Sequence, residues 1–180
     1  MAIPTVRDWG ATESITEAKL DEISTALNFL LAPPRSYAYK SSNGALANTT
    51  WDALNLTAEA YDSHAAHDNA TNNTRLTAPE PGLYNITAHV TFDINSAGIR
   101  GLDIRKNAAA VQTGGTDLAL VIIAGNATTE ARLIATVDHQ LTASDYVEVF
   151  AYQSSGASLN VLGGAAALSF LSFRWVAKTV

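Results

Sequence analysis

Histidine and aspartate crowd into one short segment of the chain, where they could bind a metal ion. The side chains with that chemistry are Asp62, His64, His67 and Asp68. Imidazole nitrogens and carboxylate oxygens are both common ligands of divalent cations. The segment lacks a further strong ligand at a familiar spacing, and residues 62–75 are rich in Asn, Asp and Ala. We therefore predict a solvated polar loop with no bound metal or cofactor, and keep these four residues as the metal candidates to check.

The sequence contains no recognisable catalytic constellation. His89 falls on the polar side of a predicted strand, and His139 follows Asp138 without a Gly-x-Ser-x-Gly elbow elsewhere in the chain. The Gly114-Gly115-Thr116 segment lacks the strand-to-helix setting of a phosphate-binding loop. We predict that the protein is not an enzyme. A carbohydrate-active enzyme stays as an alternative, because the spatial separation of carboxylates decides that chemistry.

Composition limits the partners. Charged residues are 16% of the 180 residues, against about 25% in ordinary soluble domains. This scarcity predicts that copies of the chain or a partner cover much of its surface. The net charge is −6 and the eleven basic residues are scattered, which disfavours nucleic-acid binding. No apolar run is long enough for a membrane span, and residues 1–9 lack the apolar region of a signal peptide, so we expect synthesis in a cytoplasm.

The N-terminal part, residues 1–34, is predicted to form an arm and one helix. Ser14 and Glu17 have the spacing of a capping box, and Pro33-Pro34 should end the helix. An apolar stripe consists of Leu20, Ile23, Leu27 and Leu30. Its spacing of three, four and three suits either a short three-helix bundle or a helix packed on its own subunit. We expect the stripe, together with Trp9, to attach the protein to a larger particle.

The remaining part, residues 36–180, has the pattern of a β-sandwich. After the Pro81-Gly82 turn, apolar residues alternate with polar ones as far as Phe92. Further strands are predicted at 99–105, 110–112, 118–124, 132–141, 146–153, 159–161 and 168–176. The last strand is interpreted as apolar on both faces. Its aromatic residues, those of strand 146–153 and one earlier tryptophan are expected in the core or on a trimer axis: Trp51, Tyr146, Phe150, Tyr152, Phe170, Phe173 and Trp175. A sugar-binding platform is the alternative role for one or two aromatic side chains.

Several motifs give the chain a family resemblance. Pro81-Gly82-Leu83-Tyr84, Arg105-Lys106-Asn107, Ala143 to Val149 and Leu168 to Phe173 occur in the order seen in complement globular-head and tumour-necrosis-factor-like domains. The resemblance implies a mainly β jelly roll that associates as a homotrimer. One departure is Ser144, which stands where those domains usually have Gly.

The N-terminal part resembles a narrower group. Thr16 to Leu20 and Ala26 to Pro34 look like the opening of small virion proteins of tailed bacteriophages. This resemblance implies a virion surface protein, either a head decoration or head-fibre trimer or a receptor-binding knob on the tail. The implied partners are a major capsid protein or a tail protein bound through the arm, with a host-surface glycan as the ligand in the second case.

Overall fold

The chain folds as a sandwich of two antiparallel sheets preceded by one helix. The computed structural model describes residues 14–164, 166 and 169–178. Helix α1 spans Glu17–Leu31. The strands are β1 Arg35–Tyr39, β2 Gly44–Leu46, β3 Thr50–Ala53, β4 Ala58–Ser63, β5 Arg75–Thr77, β6 Gly82–Phe92, β7 Asn95–Lys106, β8 Thr116–Asn126, β9 Ala131–Leu141, β10 Tyr146–Gln153, β11 Leu159–Val161 and β12 Phe170–Ala177.

The two sheets differ in their number of strands and in strand order. The seven-stranded sheet runs β2-β11-β6-β12-β1-β4, with β9 paired to β6 as well. The five-stranded sheet runs β3-β10-β7-β8, with β5 paired to β10. Consecutive strands often lie in opposite sheets, so β6 and β7 face each other across the core. This arrangement is the jelly roll that the sequence predicts.

Strand β6 shows how the pattern makes the core. Tyr84, Ile86, Ala88, Val90 and Phe92 are all fully buried, as their alternation predicts. From the opposite sheet, Leu102, Ile104 and Val149 meet them. The strand begins at Gly82, and this position requires glycine because a side chain there would collide with the indole of Trp175.

One predicted strand is wrong. Residues 110–112 are not the return strand of a hairpin; the chain instead forms a loop, and β8 begins at Thr116. Backbone and side-chain bonds fold this loop, residues 107–115, over the five-stranded sheet. Glu148 accepts hydrogen bonds from the Ala110 N–H at 3.1 and 3.2 Å, and Arg105 Nε donates to Gly114 O at 2.8 Å.

The last strand also differs from its prediction. Only its inward side is consistently apolar, with Leu171 and Phe173 buried. Its outward side carries Phe170, Ser172 and the exposed Arg174. The strand is therefore not apolar on both faces.

Helix α1 begins without the predicted capping box. Thr16 occupies the N-cap, and no side chain caps the helix there. Phe29, only 1% exposed, packs edge-on against Trp175 with ring centroids 4.9 Å apart. The helix thus contacts its own β-sandwich through a residue outside the apolar stripe. No helix in the described part of the chain is long and apolar enough to cross a membrane.

Candidate functional site

The side chains of the four metal candidates make contacts within and around their own loop and do not converge on one ligand site. Asp62 accepts hydrogen bonds from the N–H groups of Ala66 and His67, both at 3.1 Å. The ring nitrogens of His67 lie 2.9 Å from Arg75 O and 3.1 Å from Leu56 O. His67 is buried, and both nitrogens are turned to backbone oxygens. These two side chains therefore hold the loop against its neighbouring strands.

The other two candidates have local roles. Asp68 Oδ1 accepts hydrogen bonds from the N–H groups of Ala70 and Thr71, at 2.8 and 3.0 Å, which lower the pKa of this carboxyl. His64 contacts the Ser63 hydroxyl at 3.0 Å. Within residues 14–164, 166 and 169–178, no three His, Cys, Asp or Glu side chains are grouped as metal ligands would be.

Aromatic side chains line the outward side of the seven-stranded sheet. Cross-strand pairing aligns Tyr39, Phe170, His89 and Ile134 in one row over four strands. We call the outward aromatic residues of this sheet the aromatic face: Tyr37, Tyr39, Tyr61, His89 and Phe170. Ile134 beside it is 60% exposed. Tyr61 is 46% exposed, and exposed apolar groups that lie side by side are typical of an interaction site.

The rings of the aromatic face contact each other. Phe170 stacks on Tyr37 with centroids 4.5 Å apart, and His89 stacks on Phe170 at 5.6 Å. Tyr37 also meets Tyr61 at 5.8 Å. Burial, together with the phenols of Tyr61 and Tyr39, raises the pKa of Tyr37. The face is therefore preorganised in one copy of the chain, which lowers the entropy cost of covering it.

A second apolar surface lies at the free edge of the five-stranded sheet. Strand β8 is the outermost strand, and Leu120 and Ile122 on it are 49% and 50% exposed. We call Leu120, Ile122 and Ile123 the apolar edge. Beside it, a groove of about 740 Å³ runs between the ends of β8 and β9, and the ion pair of Arg132 with Glu130 lines it.

The predicted attachment stripe is open on the described part of the helix. The exposed fractions of Leu20, Ile23, Leu27 and Leu30 lie between 43% and 64%. Trp9 lies outside the described residues. The stripe and Phe29 therefore occupy different sides of α1, so the helix can touch its own sandwich and still present the stripe.

Five of the aromatic residues predicted for the core or the trimer axis have different environments. Phe150 is buried with Ala53 and Ala108, and Phe173 meets Tyr84 in the main core. Tyr146 lies below the guanidinium of Arg75, and Trp175 meets Phe29. Phe170 is on the aromatic face. Single-strand patterns could not reveal that face, because its residues meet only through the register of four strands.

The alternative sugar platform would best fit Trp51 and Tyr152, whose ring centroids are 5.0 Å apart. Both are half-buried on the outward side of the five-stranded sheet. Gly101 lies beneath them, since a Cβ there would be 2.6 Å from Trp51 Cη2. The rings lie against this backbone, which leaves part of the pair accessible.

The turn before β10 is held by a polar network. Asp145 accepts hydrogen bonds from Asn107 Nδ2 at 2.7 Å and from the N–H and hydroxyl of Thr142 at 2.8 and 2.9 Å. Desolvation raises the pKa of Asp145, but these bonds and Lys106 outweigh it and lower the pKa to about 2. Ser144 beside it has φ +73°, a left-handed conformation.

Solved structures with a similar architecture include two domains of known fold. The tumour necrosis factor Eiger of S. frugiperda superposes with a TM-score of 0.59 at 10% identity, over 82% of this chain and 94% of that one. The globular domain of zebrafish complement 1qA gives 0.58 at 11% identity, over 81% of this chain and 99% of that one. No family model matches the sequence. No curated protein matches it either. At such low identity the likeness concerns the fold alone: the chain has the jelly-roll fold of tumour necrosis factor and complement globular domains.

Proposed function

We propose that the chain is a non-enzymatic virion structural protein, displayed as a homotrimer on the surface of a tailed phage. Within that role, we favour a head decoration or head-fibre protein. The observation that carries the assembly is that a single copy leaves both the aromatic face and the apolar edge uncovered. The phage setting is supported by the resemblance of the N-terminal part to small virion proteins.

The two open surfaces suit a cyclic assembly. They lie on different sheets: the aromatic face is on the outward side of the seven-stranded sheet, and the apolar edge is on β8, the outermost strand of the five-stranded sheet. Contact between unlike surfaces of identical chains is heterologous, and it closes into a ring when the rotation permits. In this assembly each aromatic face receives the apolar edge of the next copy, as the homotrimers of the family it resembles suggest.

The helix supplies the attachment in this proposal. Leu20, Ile23, Leu27 and Leu30 are exposed on α1, and Pro33-Pro34 separates them from the sandwich. Three such helices in one trimer would bind a shell together, and linked binding raises the overall affinity far above that of one helix. The partner would be the major capsid protein, or a tail protein if the trimer sits on the tail.

A receptor-binding knob on the tail is the second candidate. The polar loop that contains Asp68 favours it, because this loop lines a small open cavity of about 210 Å³. Such a knob would use this loop, and not the aromatic face, to contact a host-surface ligand.

Localisation on particles tests the proposal. Purified particles of the phage that encodes the chain should contain it by mass spectrometry, and gold-labelled antibody should mark the head shell. Labelling at the tail tip would favour the receptor-binding knob. Particles without the chain would refute the virion role altogether.

A further inference from the structure

The loop between β4 and β5 borders an open polar cavity, and several side chains in its wall have no hydrogen-bond partner among the described residues. The cavity, of about 210 Å³, is lined by His67, Asp68, Thr71, Asn72 and Arg75, with Ala65, Ala66 and Thr77 completing the wall. This volume is below the roughly 300–1,000 Å³ of pockets that take drug-sized molecules. It suits one small polar ring.

The backbone around the cavity is fixed at an energetic cost. His64, Ala65 and Asn72 have φ values of +81°, +50° and +54°, in the left-handed region. Residues other than glycine adopt this conformation at an energetic cost, and strain of this kind clusters at binding sites. The buried His67 and the carboxylate of Asp62 hold the loop in this shape through four contacts to backbone groups.

Donors and an acceptor at the cavity wall are left for a ligand. Asp68 uses Oδ1 for the turn, while its Oδ2 accepts no hydrogen bond from the described residues. The guanidinium of Arg75 lies over the ring of Tyr146 at 4.4 Å and, within the described part of the chain, has no ion pair or hydrogen bond. The side chains of Thr71 and Asn72 likewise have no hydrogen bond to described residues.

The cavity wall combines one carboxylate with several hydrogen-bond donors, and this combination indicates the chemical class of the ligand. A single carboxylate is too few ligands for a metal ion. The ionised Asp68 opposes an anion next to Arg75, because like charges repel. A neutral polyhydroxylated ring uses both kinds of group, since each hydroxyl donates and accepts. We propose that this cavity binds one neutral pyranose unit of a glycan, with Asp68 accepting from its hydroxyls and Arg75, Asn72 and Thr71 donating to them. The proposal goes beyond the display role and does not require the trimer.

Binding can be followed by amide chemical shifts of the full chain. The probes are methyl α-D-mannopyranoside, methyl β-D-glucopyranoside and methyl β-D-galactopyranoside, with inorganic phosphate as the anion. At least one pyranoside should shift the amides of residues 65–77 in a saturable way. No pyranoside shift there, or tighter binding of phosphate at the same amides, would overturn the proposal.

Variants separate a ligand contact from a structural role. Asp68→Asn keeps an oxygen for the Ala70 and Thr71 N–H groups but removes the charge, so the pyranoside Kd should rise roughly tenfold. Asp93→Asn is the matched control, because Asp93 also accepts a local backbone hydrogen bond, from Ile94, and should leave the Kd unchanged. Thr71→Val, which retains the side-chain volume, should weaken binding as well. Unchanged affinity in both cavity variants would contradict the proposal, whatever the oligomeric state of the protein.

Discussion

At the scale of single residues, the turn before β10 contains a strained residue, Ser144, followed by an ionised one, Asp145. Ser144 is a non-glycine residue at φ +73°, in a position where the resembled domains have Gly. Glycine adopts that conformation without a Cβ penalty. Ser144 is exposed, so no buried contact depends on its side chain.

Ser144→Gly is therefore expected to stabilise the protein by about 0.5–1 kcal/mol. The gain is partly offset by the larger backbone freedom of glycine in the unfolded chain. Chemical denaturation measures the free energy of unfolding. Ser144→Ala is the control, since it keeps the Cβ and should give no gain; equal gains in both variants would mean that the φ strain is not the cause.

Because of Asp145, the next residue, we expect the stability of the fold to depend on pH. Its pKa in the folded protein, about 2, lies below the ordinary aspartate value of 3.8. The carboxylate therefore adds stability that is fully present above pH 3.8 and is lost as the pH falls through about 2.

Asp145→Asn should remove this contribution. The stability difference between wild type and Asp145→Asn should be largest above about pH 4 and should shrink toward pH 2. Unfolding free energies measured across that interval test this expectation. A difference that stays constant down to pH 2 would show that the ionised form has no special partners in the fold.

At the scale of elements, the alternation of apolar and polar residues predicts β6, whose two sides differ in burial. Strands β10 and β11 were predicted with their observed bounds, although β10 is buried on both sides from Val147 to Ala151. The strand predicted at residues 110–112 is wrong, because the composition Ala-Val-Gln suits a strand while hydrogen bonds to Glu148, 38 residues away, and to Asp103 hold the segment in a loop. The aromatic face could not be predicted from the sequence, because only the pairing of β1, β12, β6 and β9 assembles it.

The cavity beside Asp68 could not be predicted either. The sequence shows the polar residues of the loop, but it does not show that Asp62 and His67 bind backbone groups and so shape the cavity.

The contact between α1 and the sandwich depends on Phe29. Phe29→Ala should release the helix, because it removes a buried ring and its edge contact with Trp175; the free energy of unfolding should fall by about 3–5 kcal/mol. Hydrogen exchange should then speed up in α1 and stay slow in β6. Leu31→Ala is the matched control, since Leu31 is 82% exposed and should leave exchange unchanged. Slow exchange in α1 of the Phe29 variant would show that other contacts hold the helix.

At the scale of the whole molecule, the division at Pro33-Pro34 predicts separable roles. Deleting residues 1–34 should leave a folded β-sandwich that still assembles but no longer joins particles, because its apolar stripe is gone. Circular dichroism, solution mass and co-sedimentation with particles measure the three properties. An unfolded truncation would place the helix in the core, and continued co-sedimentation would place attachment in the sandwich.

Assembly through the aromatic face is the central claim, and the solution mass of the full chain tests it most directly. Light scattering at micromolar concentration should give three times the 19.0 kDa of one chain. Phe170→Asp would bury an unpaired charge in the interface and should abolish the trimer. Val111→Asp should retain it, because Val111 is exposed on the loop over the opposite sheet. A wild-type monomer, or a Phe170→Asp protein that is still trimeric, would contradict the account.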